Sequence, residues 1–367
     1  MKKLTAVICF ALLTFLLFAR SPQKPKDSEY AYRILENATL AFDSGDYGNA
    51  MKYANQAKDA RRAESEYETY ILENALTPRA VRRVGRAFAD VLDILADRDE
   101  KEAIAIINLY LKRYGKDHFN NNVDDMVSWI KAKAVYPEAD YLIGKIYQLE
   151  GEHAVALEFY ERARMESPYL DIPAESFDIL YTMANLAKQQ KKDEPFEQML
   201  LLILDNDQHF KDKSFISALL RTVDFDTVKH VDRFFMLFRA EPNHSLEALY
   251  ELGLIYERRG EDEKALSCVA LGTVEALTHM LSAISERDAE FKYVDFPHFL
   301  QTASRYSDIV EWGSQTHVWD MMFQFAERVE KRGKRVFASA LYAYMSDTMP
   351  DSYWQKESKK RLGIAQH

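Results

Sequence analysis

Gly144, Tyr147, Gly151, Ala156, Tyr160, Ala163 and Pro168 fall at offsets 0, 3, 7, 12, 16, 19 and 24, and the pattern returns along the chain. Gly253, Tyr256, Gly260, Ala265, Val269 and Gly272 repeat it, with Leu249 and Leu252 ahead of them. An N-terminal copy reads Ala38, Ala41, Gly45, Ala50, Ala54 and Ala57, turning at Gly45-Asp46-Tyr47, and a more worn copy reads Phe325, Ala326, Val329, Gly333, Ala338, Tyr342 and Pro350. Six of the 12 glycines, at 45, 144, 151, 253, 260 and 333, occupy repeat positions, far more than scattered turn glycines would. Segments that recur in this way cannot each cover an apolar face alone. Stacking them gives one continuous core.

The spacing resembles the tetratricopeptide repeat (TPR), a helix–turn–helix unit of 34 residues. In that family small residues let two helices approach, aromatics fill the space between them, and proline ends the second helix. The resemblance implies an all-α fold, a right-handed TPR-like α-solenoid with degenerate repeats and one or two insertions. Its clearest units are residues 31–64, 137–170, 246–279 and 319–352. Asp140 stands where the family prefers a large aromatic, and the first copy lacks its closing proline. Matched starts are separated by 106, 109 and 73 residues, close to three, three and two units with a few residues over.

The gaps then read as eroded hairpins. One runs from Arg79 to Tyr114 around Asp97-Arg98-Asp99, with Ala103 at a packing position and Gly115 as its C-cap. Another places Ala184 and Ala187 on one helix and Phe196, Leu200 and Ile203 on the next. Residues 21–367 are thus expected to form one repeat domain, although 367 residues would suit two ordinary domains.

Helical periodicity points the same way. Val84, Ala87, Phe88, Val91, Leu92 and Leu95 recur at three- and four-residue steps, and no long alternating run competes with them. Pro78, Pro137, Pro242 and Pro297 precede periodic segments, and Ser352 with Gln355 forms a candidate capping box. Asp205–Lys213 and Phe291–Phe299 break the periodicity and are expected to be connections or insertions. The second of these is rich in aromatics and reads either as a docking loop or as an insertion packed on the array.

Residues 1–20 look like an address. Lys2 and Lys3 precede a 15-residue uncharged run, Leu4–Phe18, before Ala19, Arg20 and Ser21. This is the layout of a secretory signal, short of the ~20 residues of a comfortable membrane span. Its small-residue cleavage site is poor, so an uncleaved inner-membrane anchor stays open. Cys9 lies in mid-run and reads as a hydrophobe, which leaves Cys268 as the lone thiol of an exported product, with no disulfide to rely on. Removing the segment leaves 45 basic against 58 acidic residues, a net charge of −13 instead of −10.

Motifs for chemistry are missing. There is no His-Glu-x-x-His, paired Cys, Gly-x-Ser-x-Gly or phosphate-cradling glycine loop. Asp205-Asn206-Asp207 and Asp224-Phe225-Asp226 begin like calcium loops but lack the turn glycine and closing glutamate. No enzyme, metal or cofactor is expected. An acidic chain is also a poor partner for nucleic acid.

The expectation is a non-catalytic protein–protein interaction scaffold of the bacterial cell envelope, periplasmic or tethered, with other assembly subunits as partners. A periplasmic chaperone or carrier for apolar polypeptides is the alternative. TPR-like arrays bind polypeptides along the face made by the first helix of each unit. That resemblance assigns partner binding to Tyr32, Phe42, Tyr141, Lys145, Tyr250, Leu254, Arg258 and Phe323. The positions that clamp a C-terminal carboxylate in some relatives are not matched here.

Overall fold

A computed structural model describes residues 22–364 apart from 27, 28, 80, 82–84 and 242. The candidate address with Cys9, and Val84 and Pro242, lie outside the described residues. All regular structure among the described residues is helical, which establishes the all-α class. Contacts divide the chain into two compact units, the first ending at Ile179 and the second beginning at Leu180.

The first unit contains α1 (Ala31–Asp43), α2 (Tyr47–Leu76), α3 (Phe88–Asp97), α4 (Lys101–Tyr114), α5 (Val123–Ala132), α6 (Pro137–Leu149) and α7 (His153–Met165). The boundary falls within α8 (Glu175–Gln189). Gly45 carries φ +81° in the tight turn between α1 and α2, and Asp46 caps α2 by accepting from the Asn49 N–H. The first half of α2 packs on α1 and α6 through Ala54, Ala57, Tyr136, Ala139, Leu142 and Ile143. Its second half enters another apolar cluster, where Leu72, Ala75 and Leu76 meet residues of α3, α4 and α5. Val91 and Leu95 of the expected stripe are buried, but helix α3 starts only at Phe88. Ala103 is buried and Gly115 ends α4 with φ +81°, in the expected places.

The second unit continues with α9 (Asp193–Leu204), α10 (Gln208–Lys211), α11 (Lys213–Asp224), α12 (Val228–Leu237) and α13 (Leu246–Arg258). It is completed by α14 (Asp262–Arg287), α15 (Phe296–Ala303), α16 (Ser307–Gln315), α17 (Val318–Lys331), α18 (Arg335–Thr348) and α19 (Ser352–Arg361). Helix α14 is the hub of its core, packing against α11, α13, α15, α16 and α17. By length and composition alone α14 could cross a membrane, yet 67% of its most apolar window is buried inside the unit, as a core helix requires.

Two local expectations change, and a third is narrowed. Asp205–Lys213 is not irregular throughout: Asp207 caps the single turn α10, and Asp212 caps α11. Of the calcium-like opening, Asp207 therefore serves as a cap and Asp205 pairs with Lys211 at 3.6 Å. Ser352 is not the cap of α19; Asp351 accepts from the Tyr353 and Trp354 N–H groups. In the aromatic segment after α14, Phe296 and Phe299 are fully buried, and the Phe296 ring stacks 3.9 Å from Phe235, so these rings are core and unavailable for docking.

Candidate functional site

The residues expected to pack the hairpins do touch one another. A Cβ on Gly144 would meet the Tyr160 ring at 2.6 Å, and one on Gly253 would meet Val269 at 3.0 Å. Ala50, Ala156, Ala163, Tyr256, Ala265 and Ala338 are buried, and Tyr147 stacks on Phe159 at 5.5 Å. Gly151, Gly260 and Gly333 have φ of +83°, +72° and +81° in the turns after α6, α13 and α17. Such conformations are open to glycine at no steric cost. Pro168 lies in a 3-10 turn after α7, and Pro350 follows α18.

The eight expected partner-binding residues separate into two groups. Tyr32 and Arg258 are exposed, and Leu254 is half-buried. Phe42, Tyr141 and Lys145 come together, with the Lys145 ammonium 4.8 Å from the Phe42 ring centre and 5.4 Å from that of Tyr141. Tyr250 and Phe323, by contrast, are not surface anchors. Tyr250 donates to Asp320 Oδ2 at 2.5 Å and stacks on His317, while Phe323 is covered by Tyr342 and Trp354. Helix α19 and the connection before α17 occupy the face on which these rings were expected to receive a partner.

A charged junction holds the first unit together. Asp171 accepts from Lys133 Nζ at 2.9 Å, from Arg113 at 3.2 Å and from Arg61. Arg61 also lies over the Tyr136 ring at 4.2 Å. Burial pushes the Asp171 carboxyl up, but the charges of Arg61, Lys133 and Arg113 outweigh it and hold the group below the usual aspartate value. Next to it, Glu138 accepts the Asp171 backbone N–H. Burial, only partly opposed by that hydrogen bond, raises Glu138 to about 7. These residues come from α2, α4, α6 and the connections around α5 and α7, so the cluster is a structural tie.

A cleft of about 300 Å³ lies in the second unit between α13, α14 and α16. Its walls include Tyr181, Glu247, His279, Trp312 and His317. Glu275 of α14 also lines it. That residue is only 3% exposed, and its Oε2 has no hydrogen-bond partner. Burial raises its carboxyl to about 9, reinforced by Asp207 and opposed by the Asn243 backbone. Trp312 stacks on His279 at 4.2 Å, and both also line a second cleft of about 410 Å³ that continues along α14 past Ala283 and Glu286. Burial lowers the His279 pKa, against the opposing charge of Glu286, which favours the neutral ring.

The clefts are absent from the expected binding set. Glu275, His279 and Trp312 lie on the second helix of a hairpin and on a later helix, so carrying positions over from first helices passes them by. The one sequence signal was a single glutamate within the apolar stretch Leu271–Leu277. Nor do the described residues contain a group of three or more metal-ligating side chains. Cys268 is buried on α14 with its thiol pushed up to about 12, an environment opposite to that of a reactive cysteine.

No protein-family model matches the chain. It is 27% identical over 350 residues to an uncharacterized protein of Treponema pallidum (strain Nichols), an alignment that spans 94% of this chain and 93% of that protein.

Proposed function

We propose that this chain is a non-catalytic interaction scaffold of the cell envelope, built from TPR-like hairpins and receiving a segment of a partner polypeptide in the adjoining clefts along α14. The supporting observation is the shared wall. His279 and Trp312, stacked on one another, line both of two neighbouring cavities of about 300 and 410 Å³, a depression beside α14 with aromatic and polar residues in its walls. Such a depression suits an extended segment better than a compact metabolite, because the aromatic faces supply contact area and the rim supplies hydrogen bonds to its backbone. The close helix approaches at Gly144 and Gly253 support the TPR-like reading of the hairpins. The acidic surface supports partners of opposite charge.

Site-specific photocrosslinking in cells tests this function. A photoreactive residue at Gln315 or Ala283, in the two clefts, should yield the same discrete adduct, and Trp312→Ala should remove it. The same probe at Val336, exposed on α18 and in neither cleft, is the control. Equal yields from Val336, or no adduct from the clefts, would refute the assignment.

A further inference from the structure

We infer that the cleft over Glu275 takes a basic side chain, lysine or arginine, projected from the bound polypeptide; this rests on the scaffold reading above and names the chemistry of its partner.

Glu275 is only 3% exposed, and its Oε2 meets no donor. Behind it, Asp207 is also buried and has an unpartnered Oδ2. Buried polar atoms are ordinarily satisfied, and each one left alone is destabilising. Among the described residues no lysine or arginine lines this cleft, although such residues pair with acids elsewhere in the molecule, at Asp171 and at Asp140. The site therefore has acceptors without a cation.

The walls match the same ligand. Trp312 lines the cleft, and aromatic rings attract ammonium and guanidinium groups. Glu247 stands on α13 at the rim with its carboxyl raised by burial and by Glu251, and lowered again by His317 and Lys188. A lysine or arginine entering here lays its methylenes along the aromatic wall and brings its charge to Glu275. A norleucine side chain gains only the first part. An acidic side chain finds no opposite charge at either Glu247 or Glu275.

Proton linkage gives a readout that packing alone would not move. The groups facing Glu275 are Asp207 from the turn before α10, Glu247 from α13, His279 from α14, His244 and the Asn243 backbone from the segment before α13, and His317 before α17. Glu275 holds its proton up to about pH 9, so a cation bound at pH 7 must displace it. Binding should release close to one proton and tighten as pH rises from 7 to 9, by up to about tenfold per unit.

Isothermal titration of the full chain with acetyl-Gly-Lys-Gly-amide, its arginine and norleucine analogues, and pentylamine tests the inference. The lysine or arginine peptide should bind at least about tenfold tighter than the norleucine peptide. Glu275→Gln, an isostere of the neutral acid, should remove that advantage while leaving norleucine binding unchanged. Titrations in buffers of different ionisation enthalpy should show the proton release. Equal binding of lysine and norleucine peptides, or an unaffected Glu275→Gln variant, overturns the inference; if the Gln315 crosslink persists, the scaffold reading stands without it. Pentylamine binding as tightly as the lysine peptide would assign the site to free amines and overturn the polypeptide source. Loss of the crosslink together with absence of all peptide binding refutes both.

Discussion

Gly144→Ala is the sharpest test of how the hairpins are built. A Cβ at this position would lie 2.6 and 2.7 Å from Tyr160 Cε1 and Cδ1, and 3.2 Å from the Ala156 carbonyl oxygen. Ordinary contacts lie near 3.5–4 Å, so the overlap with the ring is about 1 Å. Tyr160 has little freedom to retreat: it is fully buried, and its hydroxyl donates to Gln148 Oε1 at 2.6 Å. Overpacking of this kind costs about 1–3 kcal/mol, and a pinned ring belongs in the upper half of that range. Alanine returns about 1 kcal/mol through helix propensity. The net loss is about 1–2 kcal/mol, equivalent to a factor of roughly 5–30 in the folded ratio. Native-state hydrogen–deuterium exchange of α6 and α7 peptides should register that factor as faster exchange, free of contributions from the second unit. In a Tyr160→Ala background, where the ring is gone, the same Gly144→Ala change should slow exchange instead. A neutral effect in the native background, or additivity of the two substitutions, would refute the claim that close helix approach placed glycine here.

Two further predictions concern the charged junction of the first unit. Asp171→Ala leaves Arg61 and Lys133 buried without their shared carboxylate and should destabilise by about 3–5 kcal/mol, measured by urea unfolding. Because the folded pKa of Asp171 is depressed, its contribution is present above the unfolded value and is lost as pH falls through the lower folded one; the loss should accordingly appear only in acid, below about pH 4. Glu138 behaves in the opposite sense. Its folded pKa is raised to about 7, so stability present below the unfolded value near 4.5 declines as pH rises through 7. Glu138→Gln should flatten that decline in a pH series of unfolding midpoints, and an unchanged slope between pH 4.5 and 7 would show that Glu138 does not hold the proton.

The hairpins were legible in the sequence because close helix approach leaves a local mark. Gly144 with Tyr160, and Gly253 with Val269, sit sixteen positions apart, and only a small residue fits against the partner. Turns were legible for a similar reason, since Gly45, Gly151, Gly260 and Gly333 all need positive φ. Burial of the presumed groove was not legible. Whether Tyr250 and Phe323 face solvent depends on His317 and Trp354, which arrive from other helices, and no spacing within a hairpin records what covers it. The junction at Asp171 was hidden as well, because Arg61 stands 110 positions from its partner. Glu275 was hidden differently: one acid in an apolar helix reads as an interruption until the cavity beside it is seen.

Helix α2 connects two apolar clusters with one unbroken 30-residue rod. Each residue turns an α-helix by about 100°, so losing a single one between Ala57 and Leu72 would swing the entire far end by that angle. Ala54 and Ala57 could stay seated on α1 and α6, but Leu72 and Leu76 would then face away from α3, α4 and α5. Insertions and deletions are thereby barred from the middle of α2, whereas a change of length in an exposed connection between helices leaves the phase of each helix untouched. A rod shared by two cores makes the reading frame of its own helical turn a requirement for folding.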